Sequence, residues 1–346
     1  MTFCENIYLK SVAKISFISK KRVILQTGMC APGFVCCWPH WKFYDYIYIC
    51  MRRDLIMCGF VCCMAGMLLT ACDMFEYHPY SIDINGRTNI HAENVERIEQ
   101  LCKGRDVVRF AFVTDTQGSV DELEDAVADI RRRGDIDFII HGGDQTDFGL
   151  PKEFVWCRDM LEKSGLPYVA VIGNHDCVGN GEHTFEYMYG KPNFSFNAGF
   201  VHFLCLNTVA LEYDYSKPVP DLNFIESDRD NVMALNEERD SIVHTIVVMH
   251  SRPGDEQFNN NLFKVFNYYL EQFPGADGNA EIYDTGVGEA GAKKHAFCVN
   301  GHNHCDDVRD IYDNGMIYYG CIDMSERVYY VFTITKEGYD YERVAY

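Results

Sequence analysis

The chain lacks the features that mark several familiar classes of protein. Its 346 residues hold 31 Lys and Arg against 51 Asp and Glu, and no basic stripe runs along it. A protein that binds nucleic acid through its phosphates needs clustered Lys and Arg residues, so we expect no nucleic-acid groove. None of the 16 cysteines forms a C-x-x-C pair, which argues against a zinc ribbon or a thioredoxin-type site. What remains is an acidic chain long enough for one large domain or two small ones.

The amino-terminal part differs in composition from the rest. Residues 1–72 hold eight Lys or Arg, three Asp or Glu and nine of the cysteines. Arg52 and Arg53 precede an apolar run at residues 55–69 and a small-residue segment, TAC, at 70–72. A basic amino-terminal region, a short apolar segment and small residues at the cleavage site are typical of a secretory signal peptide. The apolar run is also short for a transmembrane helix. The segment LTAC resembles the bacterial lipobox, which implies lipidation of Cys72.

These observations predict the division of the chain. We expect residues 1–50 to be a non-native extension, because the basic part of a signal is short, and residues 51–72 to be a lipoprotein signal peptide. Residues 73–105 would be a tether and lead-in, and residues 106–346 the main domain. The implied product is an exported lipoprotein, anchored to a membrane on its periplasmic or cell-surface side. A cleaved but unlipidated signal, or a buried apolar helix, would also fit the pattern.

The main domain alternates strand and helix patterns. Near-continuous apolar runs at 106–113, 137–140 and 168–172 are separated by helical patterns at 119–133 and 151–163. This alternation predicts parallel β-α-β units, which bind ligands at the carboxyl ends of their strands. Further strands are predicted at 200–206, 245–249, 296–299, 316–319, 327–334 and 339–344, the last three as an antiparallel set. Helices are predicted near 94–102, 228–239 and 257–273, and a long surface loop at 275–293.

Five of the predicted strands break into polar residues at their ends. The five motifs are DTQ at 115–117, GDQTD at 143–147, GNHD at 173–176, MH at 249–250 and GHNH at 301–304. Carboxylate, amide and imidazole groups are the side chains that hold metal ions in proteins. One such motif alone is weak evidence, but five at strand ends predict a metal site.

In this order, the five motifs resemble those of the calcineurin-like metallophosphoesterases, in a variant with Gln at the third position of the first motif. The resemblance covers roughly residues 106–346. It implies an α/β fold, a four-layer α/β/β/α sandwich of two mixed sheets flanked by helices, and a hydrolase acting on phosphoric ester bonds. It also implies two divalent metal ions. The implied ligands are Asp115, Gln117 and His304 for one ion, Asn174, His250 and His302 for the other, and Asp144 between them.

The charges agree with this assignment. Two cations a few ångströms apart repel each other unless an anionic ligand lies between them, and a shared carboxylate serves that purpose. Most members of the family carry His where this chain has Gln117. An amide oxygen is a harder ligand than imidazole, which favours Mn, Mg or Fe(II).

The resemblance further implies a mechanism. A hydroxide held between the metals would attack phosphorus in line, and His175 would protonate the leaving oxygen, with Asp176 or Asp147 orienting its ring. Arg252 is a candidate phosphate clamp, although an exposed loop arginine is an equal alternative. A small phosphodiester or nucleotide substrate is favoured weakly by Gln117. The alternatives are a phosphomonoesterase or protein phosphatase, and a catalytically silent surface lipoprotein that keeps the fold as a binding module.

Overall fold

The computed structural model describes residues 52–53, 55–57, 81–82, 84–210, 218–239, 241–276, 281–283, 291–293 and 295–346. The chain divides into two units, Met1–Glu76 and Tyr77–Tyr346. In the first unit the described residues are helical. The predicted extension, most of the predicted signal and the predicted lipidation site, Cys72, lie outside the described residues. Across the part that is described, no helix combines the length and the apolar character needed to cross a membrane.

The second unit contains helices and strands in alternation. The helices are α1 (Ile90–Cys102), α2 (Val120–Arg133), α3 (Pro151–Glu162), α4 (Gly181–Met188), α5 (Leu222–Arg239) and α6 (Phe263–Leu270). The first strands are β1 (Val107–Val113), β2 (Phe138–His141), β3 (Tyr168–Ala170), β4 (Phe194–Ala198), β5 (Val201–Cys205) and β6 (His244–Val248). The later strands are β7 (Glu281–Tyr283), β8 (Gly291–Lys293), β9 (Phe297–Asn300), β10 (Asp307–Asp310), β11 (Ile317–Gly320), β12 (Val328–Thr335) and β13 (Gly338–Ala345).

The strands form two mixed sheets, apart from β7 and β8, which pair with each other. The first has the order β13-β12-β1-β2-β3, with β1, β2 and β3 parallel and the last two strands of the chain antiparallel. The second has the order β10-β11-β9-β6-β5-β4, and its four central strands are parallel. All the central parallel strands therefore deliver their carboxyl ends to loops, which is where the polar motifs lie.

Alternation along the strands builds three apolar layers. On β1, Phe110 and Phe112 enter the core between the two sheets, whereas Ala111 and Val113 face the opposite way, into the layer beneath α2 and α3. A third cluster lies between the second sheet and helices α5 and α6. Because side chains alternate with a period of two, a strand buried on both faces needs a continuous apolar run. The result is a four-layer α/β/β/α sandwich, and the predicted fold class is confirmed.

One predicted grouping of strands is wrong. The last three strands were expected to form one antiparallel set, but β11 lies in the second sheet, parallel to β9, while β12 and β13 pair in the first. After β11 the chain passes through a 3-10 turn at Met324–Glu326 and changes sheet. Apolar alternation predicts a strand but carries no information on its partner, so the sequence could not reveal the change.

Other segments also differ from the sequence expectation. Helix α4 and strands β4 and β10 were not predicted, and within the expected loop at 275–293 the described residues 281–283 and 291–293 form the antiparallel strands β7 and β8. Helix α2 begins and ends as predicted, with Gly134 in the left-handed conformation after it, but the Ser119 side chain makes no capping hydrogen bond.

Helix α1 lies against the free edges of both sheets. His91 and Asn94 are three residues apart on one face of the helix and bond to the edge strand β3: Ala170 N–H donates to His91 Nε2 at 3.3 Å, and Asn94 Nδ2 donates to the Tyr168 carbonyl at 2.8 Å. Further along the helix, Glu99 Oε1 accepts from Asn197 N–H of β4 at 3.4 Å. Unpaired strand edges are sites of aggregation, and this helix covers both edges and bonds to three of their backbone groups.

Candidate active site

The parallel strands bring the five motifs to one edge of the sandwich. The first three motifs follow β1, β2 and β3 of one sheet, and the other two follow β6 and β9 of the other. Asp115, Asp144 and His250 each offer a ligand atom, all within 4.8 Å of one another, and all three residues are buried. The two sheets therefore share one site.

The other proposed ligands adjoin these three. Asn174 Oδ1 lies 3.1 Å from His250 Nε2 and 2.9 Å from His302 Nδ1. His304 Nε2 lies 3.3 Å from Asp115 Oδ1, and the Gln117 amide lies 3.5 Å from Asp144 Oδ2. The structure thus brings together all seven residues that the sequence nominated as metal ligands.

Most of these residues adopt a strained backbone conformation. Five of the eight non-glycine residues with positive φ among those described are proposed ligands: Asp115 (53°), Gln117 (44°), Asp144 (52°), His302 (75°) and His304 (49°). Left-handed backbone costs an L-residue about 1–2 kcal/mol and persists only where the surroundings impose it. Here Asp115 N–H donates to the Gly143 carbonyl at 3.0 Å, and Gln117 N–H donates to the Asp144 carbonyl at 3.1 Å. The fold holds the ligands in place at a cost in backbone energy.

Two motif glycines permit the close approach of neighbouring loops. A Cβ added to Gly173 would lie 2.1 Å from Asp144 Oδ1, and one added to Gly301 would lie 2.2 Å from Asp115 Oδ2. Any larger residue at either position would displace a carboxylate from the site.

The electrostatics of the site fit a cation. Among the described residues no Lys or Arg forms an ion pair with Asp115 or Asp144, whose ion-pair partners are His304 and His250. Burial opposes both charges of the second pair, yet their mutual attraction lowers the pKa of Asp144 and raises that of His250. Two buried carboxylates with imidazole and amide groups around them form a donor set for divalent metal ions.

The ring of His250 is oriented for such a role. Its Nδ1 lies 2.9 Å from the Gly142 carbonyl. A carbonyl only accepts, so Nδ1 carries the proton and Nε2 is left to face Asn174 and Asp144. Metal-binding histidines are commonly fixed by a bond of this kind on the other ring nitrogen.

His175 lies beside the cluster and is held by the backbone. Its N–H donates to Asp144 Oδ1 at 2.8 Å, and its ring Nδ1 lies 2.9 Å from the Asp147 carbonyl. Nδ1 therefore carries a proton, and Nε2 is the nitrogen that can exchange one with a substrate. Asp147 orients this ring as the sequence allowed, but through its main-chain oxygen and not through its carboxylate.

The Asp176 side chain bonds to the second and third motifs and not to the His175 ring. Its buried carboxylate accepts from Gly173 N–H, Thr146 N–H and Thr146 Oγ1, each at 3.0 Å. Burial, together with the nearby Asp144, raises the pKa of Asp176 to about 7. The expectation that Asp176 orients the His175 ring is corrected: the side chain ties the second motif to the third.

Arg252 is a buried residue and not the exposed loop arginine that the sequence offered as an alternative. The residue is only 5% exposed, Nη2 donates to Asp307 Oδ2, and Nε lies 3.5 Å from Asp255 Oδ1. Asp255 Oδ1 also accepts from Asn303 Nδ2 of the fifth motif at 2.8 Å. Through Nη2 and Nε the guanidinium links the loop after β6 to the start of β10, whereas its buried Nη1 has no hydrogen-bond partner among the described residues.

The sequence reasoning missed two acidic residues near the ligands. Asp255 supports the fifth motif as described, and Asp323 Oδ2 lies 3.6 Å from His304 Nδ1. Asp323 follows β11 as the motif carboxylates follow their strands, so the same pattern of an apolar run ending in an acid could have identified it. Asp255 had no comparable signal.

The family model described as calcineurin-like phosphoesterase matches residues 108–317. Among proteins of curated function, none matches the sequence.

Similar solved structures include GAP50, described as the anchor in the inner membrane complex of Plasmodium, at 15% identity over 70% of this chain and 85% of that one, with a TM-score of 0.48. TT1561 of Thermus thermophilus shares 13% identity over 69% of this chain and 99% of that one (TM-score 0.42). Purple acid phosphatase PPD1 from yellow lupin shares 14% identity over 70% and 55% (TM-score 0.40).

Proposed function

This chain belongs to the calcineurin-like phosphoesterase family of phosphoric ester hydrolases, and from that premise we propose that it cleaves phosphodiester or nucleotide-type esters with two divalent metal ions. The observation that carries the proposal is the cluster of Asp115, Asp144 and His250, within 4.8 Å of one another and buried. Asp115, Gln117 and His304 would hold one ion, Asn174, His250 and His302 the other, and Asp144 would hold both. The bound cations, Mn, Fe or Mg, would activate water and offset the charge of the phosphate.

The chain's own groups supply the proton for the leaving oxygen. The Nδ1–H of His175 donates a hydrogen bond to the Asp147 carbonyl 2.9 Å away. The transferred proton is therefore carried by Nε2. The His175 N–H bond to Asp144 Oδ1 fixes this residue relative to the proposed ligands. Such positioned proton transfer contributes about 10²–10⁴-fold to rate.

The test uses the full chain, stripped of metal and reloaded with manganese. We expect hydrolysis of bis-p-nitrophenyl phosphate to depend on the metal and to fall about a hundredfold or more in Asp144→Asn, because that variant lacks the shared anionic ligand. Asp340→Asn, at an exposed position on β13, is the matched control and should retain activity. The rate ratio against p-nitrophenyl phosphate distinguishes the diesterase from a phosphomonoesterase or protein phosphatase.

A different result would favour a binding module. Full metal occupancy without turnover of either ester would indicate a catalytically silent surface protein that keeps the fold. Equal activity in Asp144→Asn and in the wild type would contradict the proposed role of Asp144.

We further propose that the protein is exported and anchored to a membrane by a lipid on Cys72, with a small phosphoester as its other partner. The support is the sequence alone: two arginines, an apolar run at 55–69 and the segment LTAC ending at Cys72. Mass spectrometry of the membrane fraction should find a lipid-modified peptide beginning at Cys72, and Cys72→Ser should move the protein to the soluble fraction. Cys63→Ser is the control. Recovery of an unmodified Cys72 peptide from the membrane would exclude the anchor.

A further inference from the structure

Two exposed apolar residues lie on the loops that hold the proposed proton donor, His175. Phe148 is 64% exposed and Val178 is 45% exposed. Phe148 follows Asp147, whose carbonyl accepts a hydrogen bond from His175 Nδ1. Val178 N–H donates to the His175 carbonyl at 3.2 Å. Single exposed apolar residues are common on protein surfaces, but here two lie on the two loops that hold one histidine.

The loops that carry them are in direct contact. Gly149 has a φ of +65°, and a Cβ added there would lie 2.2 Å from the Val178 carbonyl oxygen. The backbone at 149 therefore rests on the backbone at 178. Phe148 and Val178 therefore lie on two touching loops that both bond to His175, and these two exposed residues are called the apolar patch below.

The patch is rigidly supported. Phe148 N–H donates to Glu153 Oε2 at 3.1 Å, and Gly149 N–H donates to Thr146 Oγ1 at 3.1 Å. Thr146 in turn bonds to the buried carboxylate of Asp176. A side chain on a loop fixed in this way loses little further freedom when a ligand covers it, so its burial contributes favourably to binding.

We propose that Phe148, with Val178 beside it, is a specificity-determining contact for the leaving group and selects esters whose leaving alcohol carries a planar aromatic ring. The inference rests on the proposed function, because it takes His175 as the proton donor. That donor must reach the leaving oxygen, so the carbon skeleton attached to this oxygen begins next to the patch. An aromatic ring of an aryl or nucleoside group gives offset stacking on Phe148 that an alkyl group cannot.

The experiment compares two activated substrates on the manganese-loaded full chain: methyl p-nitrophenyl phosphate and methyl trifluoroethyl phosphate. Phe148→Ala should lower kcat/KM for the p-nitrophenyl ester about fivefold and leave the trifluoroethyl ester nearly unchanged, since one aromatic contact is lost. Phe148→Tyr, which keeps the ring, should restore the ratio. Tyr268→Ala removes an aromatic of similar exposure, 62%, from α6 and should change neither rate.

The outcomes are distinguishable. An active wild type whose ratio between the two esters is the same in Phe148→Ala would overturn the inference and leave the proposed function intact. Equal losses for both esters would also overturn it, because they would indicate a general disturbance of the site. A metal-loaded wild type that hydrolyses neither ester would overturn the proposed function, and the inference with it.

Discussion

At the scale of single residues, His91 shows how burial changes the chemistry of a side chain far from the motifs. The residue is 6% exposed, and its ring stacks on Phe194 with centroids 3.9 Å apart. Burial lowers its pKa to about 3. Its Nε2 accepts from Ala170 N–H, so the neutral ring is the form that the fold requires.

A pH dependence of stability follows. Above pH about 6.5 the His91 ring is neutral in both the folded and the unfolded chain, so its titration does not change the free energy of unfolding there. As pH falls from there towards 3, the unfolded chain binds a proton that the folded chain does not, so stability is lost. We expect urea unfolding to show the wild type losing about 1 kcal/mol more than His91→Gln between pH 7.5 and 5.5.

The control for this comparison is His183→Gln, because His183 is exposed on α4. It should show the pH dependence of the wild type. If the wild type and His91→Gln lost stability in parallel, the buried neutral ring would be the wrong explanation.

Residue roles were the hardest part of the site to obtain from the sequence. The sequence nominated Asp176 and Arg252, but their partners Thr146 and Asp307 are 30 and 55 residues away. Which groups a side chain meets is set by the packing of loops, and no local pattern reports it. The seven proposed ligands gathered as expected because each follows a strand whose carboxyl end reaches the same edge.

At the scale of elements, the loop between β2 and α3 depends on one glycine. Gly149 combines a φ of +65° with the close contact to Val178 described above, whereas Gly165 has a φ of +74° and nothing within 4 Å of an added Cβ. The two positions differ in contact but hardly in backbone conformation.

This difference gives a matched pair of variants. Gly165→Ala should cost about 1 kcal/mol, the cost of a left-handed L-residue. Gly149→Ala should cost about 3 kcal/mol, because the loop must also move away from Val178, and it should lower phosphoesterase activity as His175 loses its support. Thermal unfolding and rate measurements on both variants decide the point; equal costs would show that the contact does not constrain the loop.

Prediction of the elements succeeded where the local pattern determined the structure. The apolar runs of β1, β2 and β3 and the amphipathic stripe of α2 appear close to their predicted bounds. The short strand β10, with its sequence DVRD, has no apolar alternation to detect, because it is an edge strand held by pairing with β11. Strand β11 was detected but assigned to the wrong sheet for the reason given above.

At the scale of the whole molecule, the second unit is larger than the family match. The match begins at residue 108, whereas α1 begins at Ile90 and contributes Ile98 and Cys102 to the core between the sheets. The sequence placed this region in a lead-in and indicated only a short helix there. Its polar contacts with β3 and β4 could not be predicted, because they join residues far apart in the chain.

The position of α1 determines which edges of the two large sheets can accept an additional strand. Since the helix closes the side formed by β3 and β4, the described edge strands that remain open in the two large sheets are β13 and β10, at the opposite side. Recruitment of an additional strand into either large sheet, whether from a foreign peptide or from another copy of the chain, is thus directed to a single flank. That flank carries Asp340, Glu342 and Arg343 along β13, and charges of this kind discourage the polymerisation that an uncharged edge would invite.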